Sequence, residues 1–294
     1  MKKALFLALF AVFFLFFAGA MELEVIAGTG NMAFDPEGKE PLGGSIKDFE
    51  GNNYFTGSLN IKGDPRGFFS YNVRFERDLI LQNCLSGKIT FDTDYLYLEA
   101  GPFAAMCENT ENQISAGVLG SIRLAYPGKI FLSGHIMQSF DSLLGLKGDK
   151  ALGEFGGELG FWFSNFIPVL SINMKSYSRE ADNSVKLRDD LIRLQAKGDI
   201  FIKNFPIILK LGFSYDIFTR TYTEDGAPRQ VETIEELKAM TALAGIKWQV
   251  TKPLCIILDA EMPFFPWART NNDKRLSDDL LLYKINAGFT LKIF

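Results

Sequence analysis

Apolar and polar residues alternate with a period of two along almost the whole chain beyond residue 21, the pattern of strands whose two faces meet different surroundings. About fourteen such segments can be marked out, from Glu22–Phe34 through Tyr54–Lys62 and Ile207–Thr219 to Leu281–Phe294. One parity of each is apolar or glycine, as in Leu209, Leu211, Phe213 and Tyr215, or Ala242, Ala244, Ile246 and Trp248. The other parity carries the charges. Helical periodicity is nearly absent, the exception being Thr233–Met240, where Thr233 reads as an N-cap and Glu235 and Glu236 as first-turn residues.

The connections carry further information, because short and long ones alternate. Short turns fall at residues 63–67, 92–94, 127–128, 164–168, 204–206 and 251–253, each rich in Gly, Pro, Asn or Asp. Longer polar stretches, expected as loops, lie at Asp35–Asn53, Asp141–Leu152, Arg179–Asp190, Arg220–Lys238 and Pro266–Asp279. Tight turns at one end and long loops at the other predict an all-β fold: a transmembrane antiparallel up-and-down barrel of about 14 strands (12 to 14), with periplasmic turns and extracellular loops. An even strand count sets both chain ends in the periplasm. Aromatic clusters at segment ends, Phe161–Phe163 and Phe264, Phe265 and Trp267, suit interfacial girdles. A soluble sandwich or lipocalin-like barrel makes the same alternation, but the long, numerous strands and alternating loops favour the membrane.

Residues 1–20 are expected to be a secretory signal peptide: Lys2 and Lys3, an apolar run from Ala4 to Phe17, then Ala18, Gly19 and Ala20. Residues 21–294 then form one barrel domain in the outer membrane. No later apolar run is long enough for a membrane helix. A net charge of −4 argues against nucleic acid as a partner. The expected partners are outer-membrane lipids, the barrel assembly machinery and small solutes.

Pairing across the short turns tests the register, since same-parity residues equidistant from a turn face each other. That places Lys88 opposite Glu99, Asp199 opposite Lys210, Arg193 opposite Asp216 and Lys247 opposite Asp259, with Lys284 on the far side of Asp259. Opposite charges thus meet on the polar parity, as ladders facing a lumen. The expected lumen cations are Arg74, Lys88, Arg123, Lys175, Arg193, Lys197, Lys210, Lys247 and Lys284. The anions are Glu99, Glu154, Glu158, Asp199, Asp216, Asp259 and Glu261.

The final stretch, Ala287 to Phe294, resembles the closing strand of bacterial outer-membrane barrels, the porins among them, which commonly end in a Phe that the assembly machinery reads. Here Ile285, Ala287, Phe289, Leu291 and Ile293 share one parity and Phe294 the other, a departure from that pattern. The resemblance is to an architecture and implies no particular activity.

With both charge signs in comparable number along the expected lumen, the sequence reads as a passive or weakly selective channel for small hydrophilic solutes. A structural or adhesive barrel with a closed lumen, acting through its loops, is the alternative, and a transporter of apolar ligands the third. Enzymatic chemistry is not expected. His135, the sole histidine, has Ser133 and Ser139 on its face, and no acidic partner is expected beside it in its hairpin, only Arg123. No cofactor motif is present. Asn271, Asn272, Asp273, Asp278 and Asp279 are oxygen-rich but fit no calcium spacing. Of three cysteines, Cys84 and Cys107 are the candidates for a disulfide on the extracellular side. Cys255, beside a periplasmic turn, is expected to stay unpaired.

Overall fold

The computed structural model describes residues 21–30, 54–63, 69–77, 82–107, 114–140, 151–182, 185–224, 232–270, 273–276 and 283–293. The expected signal segment and Phe294 lie outside them. The strands are β1 (Met21–Gly30), β2 (Tyr54–Gly63), β3 (Phe69–Arg77), β4 (Gln82–Asp92), β5 (Leu96–Cys107), β6 (Ile114–Tyr126), β7 (Ile130–Ser139) and β8 (Ala151–Phe161). They continue as β9 (Phe166–Asp182), β10 (Val185–Phe201), β11 (Ile207–Glu224), β12 (Glu232–Gln249), β13 (Leu254–Thr270), the four-residue β14 (Asp273–Leu276) and β15 (Lys284–Ile293).

Each long strand pairs antiparallel with the next in sequence. β13 bonds both β12 and β15, and β15 bonds β1, so the fourteen long strands have two neighbours each and the ladder returns on itself. β14 only folds back on the far end of β13. A ring without edges satisfies every ladder donor and acceptor internally, the condition a membrane imposes on strands. The hydrogen-bonded rows climb obliquely around the ring, as tilted barrel strands require. Ile89, three residues from the turn end of β4, shares a row with Ala100, Gly120, Ile136, Phe155, Met174 and Ile192, the last far from the turn end of β10.

The outer face exposes large apolar side chains on alternate positions: Ile122, Leu124, Leu132, Ile136, Leu170, Ile172, Leu211, Phe213, Ile256 and Leu258. In a soluble protein that much apolar surface would be an aggregation liability; around a closed ring it is the lipid-facing belt of an outer-membrane barrel. At the turn end Tyr95, Tyr126, Phe163, Phe205 and Trp248 are exposed as well, forming an aromatic girdle at that interface. The turns are short because their chemistry permits it. Gly128 (φ 73°) and Asn204 (φ 68°) supply the left-handed conformations, which glycine adopts freely and asparagine tolerates.

Two expectations are corrected. Residues 233–240 are not helical: they belong to β12, an 18-residue strand bonded to β11 and β13 along this stretch. Two ladders of backbone bonds outweigh a weak capping signal. Likewise, most of Arg179–Asp190 and Arg220–Lys238, and part of Pro266–Asp279, are strand rather than loop. β9 through β13 run 17, 17, 18, 18 and 17 residues, and the oxygen-rich stretch near Asp273 contributes β14. A tilted membrane strand needs about 9–11 residues, so these five rise past the belt. Their outer faces record where it ends: Met174 gives way to Ser176, Ile192 to Asp190, Ile217 to Thr219 and Met240 to Lys238.

Candidate functional site

The inward parity assembles two charged regions within the ring. The first, along β4 to β9, surrounds a cavity of about 590 Å³ bounded by Lys88, Tyr97, Glu99, Arg123, His135, Glu154 and Glu158. Lys88 Nζ lies 2.5 Å from Glu99 Oε1, and Tyr97 Oη donates to Glu99 Oε2 at 2.5 Å. Lys88 and Glu99 are nevertheless not direct ladder partners, because Thr90 stands opposite Glu99. The turn is the cause: Thr93 accepts through Oγ1 from Leu96 N and donates through its own N to Leu96 O, centring the turn beyond Thr93. The ion pair is therefore diagonal. Arg123 stacks over Tyr97 at 5.1 Å and reaches Asp92 at 3.7 Å.

The β6–β7 hairpin that carries His135 and Arg123 supplies it no carboxylate among the described residues, but the next strand, β8, does. Glu154 Oε1 is 3.5 Å from His135 Nε2. Gly156, directly opposite His135, has no side chain to stop the ring lying across β8, where an added Cβ would collide with it. Glu154 also accepts from Asn173 Nδ2 at 2.9 Å and faces Lys175 Nζ at 3.6 Å. The carboxylate is thus shared among three donors, an arrangement that holds an imidazole in place. A nucleophile hydrogen-bonded to the histidine, which acyl-transfer chemistry needs, is not shown among the described residues.

The second region lies on β10 to β13 and β15. Asp216, wholly buried, accepts from Arg193 Nε at 2.6 Å, Ser214 Oγ at 2.9 Å and Thr241 Oγ1 at 2.8 Å. Arg193 and Asp216 are direct ladder partners. Arg193 Nη2 extends past β11 and β12 to Glu261 Oε2 at 3.0 Å, and Lys284 Nζ stands 3.5 Å from Glu261 Oε1. Hydrogen bonds and opposite charges on every side offset the desolvation of these buried groups, and removing one partner would leave an expensive unmatched charge. Between the two regions, Lys197 Nζ bonds Glu158 Oε1 at 3.2 Å.

Around the last short turn the register differs from expectation. Gly245, not Lys247, faces Asp259, and Lys284 faces Glu261 rather than Asp259. The reason is again the turn, closed between Thr251 and Leu254 with Pro253, which has no N–H, inside it. Lys247 stands opposite Ile257. Asp259 reaches instead to Lys210 Nζ at 3.4 Å, leaning across β12 at Gly245, where any Cβ would strike its carboxylate. Asp199 is the ladder partner of Lys210, as expected from the turn at 204–206.

No protein family matches the sequence, and no curated protein matches it. Solved structures similar to it over 93–94% of its length include a bacterial polysaccharide outer-membrane secretin (12% identity, TM-score 0.46, 98% of that chain covered). Others are the outer-membrane channel DcaP of Acinetobacter baumannii (9%, 0.40, 98%) and an anion-selective porin from Comamonas acidovorans (11%, 0.36, 98%). This chain is an outer-membrane-type barrel. That conclusion comes from its own closed ring and apolar belt, and likenesses this distant add nothing finer.

An apolar cluster also faces inward, formed by Cys84, Phe103, Ala105, Met137, Leu152 and Tyr177, with Leu119 against it. Cys84 is ladder partner to Ala105, and Cys107 to Gln82. The side chain of Cys107 falls outside the described residues, as does any bond it makes. Cys255, near the last turn, is buried with a free thiol. Sequence reasoning missed Asn173, Tyr97, Ser214 and Thr241. They share the inward parity with the charges, which was their only signal.

Proposed function

We propose that the chain is an outer-membrane channel through which small hydrophilic solutes diffuse with weak selectivity, and not an enzyme. The single observation that carries this is how the inward charges are matched. Lys88, Lys197, Lys210 and Lys284 each meet a carboxylate from a strand one or two away along the wall. Charges satisfied along the wall do not need to bridge the lumen, and a wall of paired opposite signs presents little net field to a passing ion. Planar-bilayer reconstitution tests it: discrete single-channel steps with a reversal potential near zero under a salt gradient are expected, and a purified, inserted barrel that never conducts would overturn it.

A closed-lumen barrel acting through its surface is the second reading. It is favoured by the inward apolar cluster around Phe103 and Met137, both almost fully buried. Conductance that is absent in the wild type and appears in Phe103→Ala would decide for this reading.

A further inference from the structure

On the outside of the barrel, where β7–β8 stop and β9–β11 continue, the wall carries a groove of about 610 Å³. Its construction follows from three successive ladder rows. Phe155, Met174 and Ile192 form the lowest and are the upper edge of the apolar belt. The next row is polar: Gln138, whose amide lies over Gly153, then Gly153, Ser176, Asp190 and Thr219. Above it Ala151, Ser178 and Arg188 are partners. Bulky apolar side chains below, with Gly153, Ser176, Ala151 and Ser178 above them, leave a shelf, about 7 Å from row to row. A guanidinium and a carboxylate overhang it: Arg188 Nε is 2.9 Å from Asp190 Oδ2, and the Arg188 side chain remains 60% exposed.

We propose that this groove holds a lipid of the surrounding leaflet whose head group is a sugar. The inference rests on the reading that the belt crosses a bilayer. Its position supplies the acyl chains, because the apolar row continues down into the belt at Leu170, Ile172 and Leu194. Its upper chemistry selects the head group. Arg188 and Asp190 form a balanced pair, so the shelf offers charged donors and acceptors with no net charge. Sugar hydroxyls do both, accepting from the guanidinium and from Gln138 and donating to the carboxylate. A phosphate would meet the Asp190 carboxylate within the pair it sought to join. Ser176, Ser178 and Thr219 add short hydroxyls without filling the space.

The test is native mass spectrometry of the full barrel released from detergent. The probes are monogalactosyl diacylglycerol, phosphatidic acid and phosphatidylcholine, each of matched acyl length, with free galactose as a control. The galactolipid is expected to remain bound in preference to both phospholipids, and free galactose not at all. Arg188→Ala and Asp190→Ala should each weaken galactolipid retention about tenfold, the effect of losing a hydrogen bond to a charged group. Ser178→Trp should abolish retention by filling the shelf, whereas Leu258→Trp, on the belt far from it, should change nothing. Co-flotation with liposomes reads insertion separately. A barrel that floats but prefers phosphatidic acid, binds free galactose equally, or keeps the galactolipid in Arg188→Ala and Asp190→Ala overturns the groove assignment and leaves the barrel intact. One that does not float overturns both.

Discussion

The wall formed by β1 to β8 and the wall formed by β9 to β13 are built on different rules. The first has strands of 9 to 13 residues, close to what a tilted bilayer crossing needs. The second has strands of 17 or 18, whose last residues stand beyond the belt. In the first, the inward side far from the turns carries apolar packing, with Phe103, Met137 and Leu152 buried together. In the second, an ion pair is enclosed at that end: Arg220 Nε and Nη2 bond Asp189 at 2.6 and 2.9 Å, both residues fully buried. Lipid fixes the composition of a strand's outer face only as far as lipid reaches. Past that level the ladder alone keeps the strand extended.

The largest effect that can test this contrast is removal of one half of the enclosed pair. Asp189→Ala leaves the Arg220 guanidinium buried without its bidentate partner and is expected to cost about 3–5 kcal/mol. Replacing both, as Asp189→Leu with Arg220→Met, should recover most of that loss, because a packed apolar pair carries no desolvation penalty. Urea unfolding from lipid vesicles measures both. A single substitution costing under about 1 kcal/mol would mean that the far end of the second wall is wetter than its geometry requires.

Next in size is a substitution on the outer face at two heights. Leu170→Arg, within the belt on β9, should cost about 2–4 kcal/mol in the same vesicles, the penalty of a cation near the bilayer midplane. Thr221→Arg, on the outer face of β11 beyond the Ile217-to-Thr219 boundary, should cost almost nothing. Equal costs at both positions would erase the boundary between spanning and projecting strand.

That boundary is also where the sequence stopped being legible. Along the belt, alternation, turn chemistry and strand number were all readable, since one face meets lipid and the other does not. Beyond it both faces of β9 to β13 carry polar residues. Arg188 and Asp190 point out while Asp189 is buried inside, so a stretch that reads as loop is a strand. Residues 233–240 misled for the same reason, Glu236 and Lys238 being outward residues of β12 rather than a helix's first turn and face. On the inward face the expected pairing centred two turns one residue off. Thr93 and Thr251 close their turns through their own hydroxyls, a local geometry that spacing does not reveal, and each offset moved the register by two.

A smaller effect separates paired charges by burial. Lys197 and Glu158 are each more than a third exposed, so Lys197→Met should change stability by less than about 1 kcal/mol. Arg193→Met is different in kind, because it strips two hydrogen bonds from fully buried Asp216 and another from Glu261 at once. The two variants, compared by urea midpoint, should differ severalfold in free energy. Similar midpoints would show that the second region is hydrated to the depth of Asp216.

The finest comparison lies at the turn end of the second wall and concerns selectivity rather than stability. If the barrel conducts, Asp259→Asn should move the reversal potential toward anions, since it leaves Lys210 without its nearest carboxylate. The structural register then makes a specific claim about which lysine matters. Lys210→Met should remove most of the shift caused by Asp259→Asn, a coupled pair in a double-mutant cycle. Lys247→Met, two residues along the ladder from the Gly245 position opposite Asp259, should add its own small effect independently. The opposite result, coupling to Lys247 and independence from Lys210, would restore a turn centred on Pro253. It would also place Gly245 in the wall without the role that its missing side chain gives it here, that of letting one carboxylate reach across a strand.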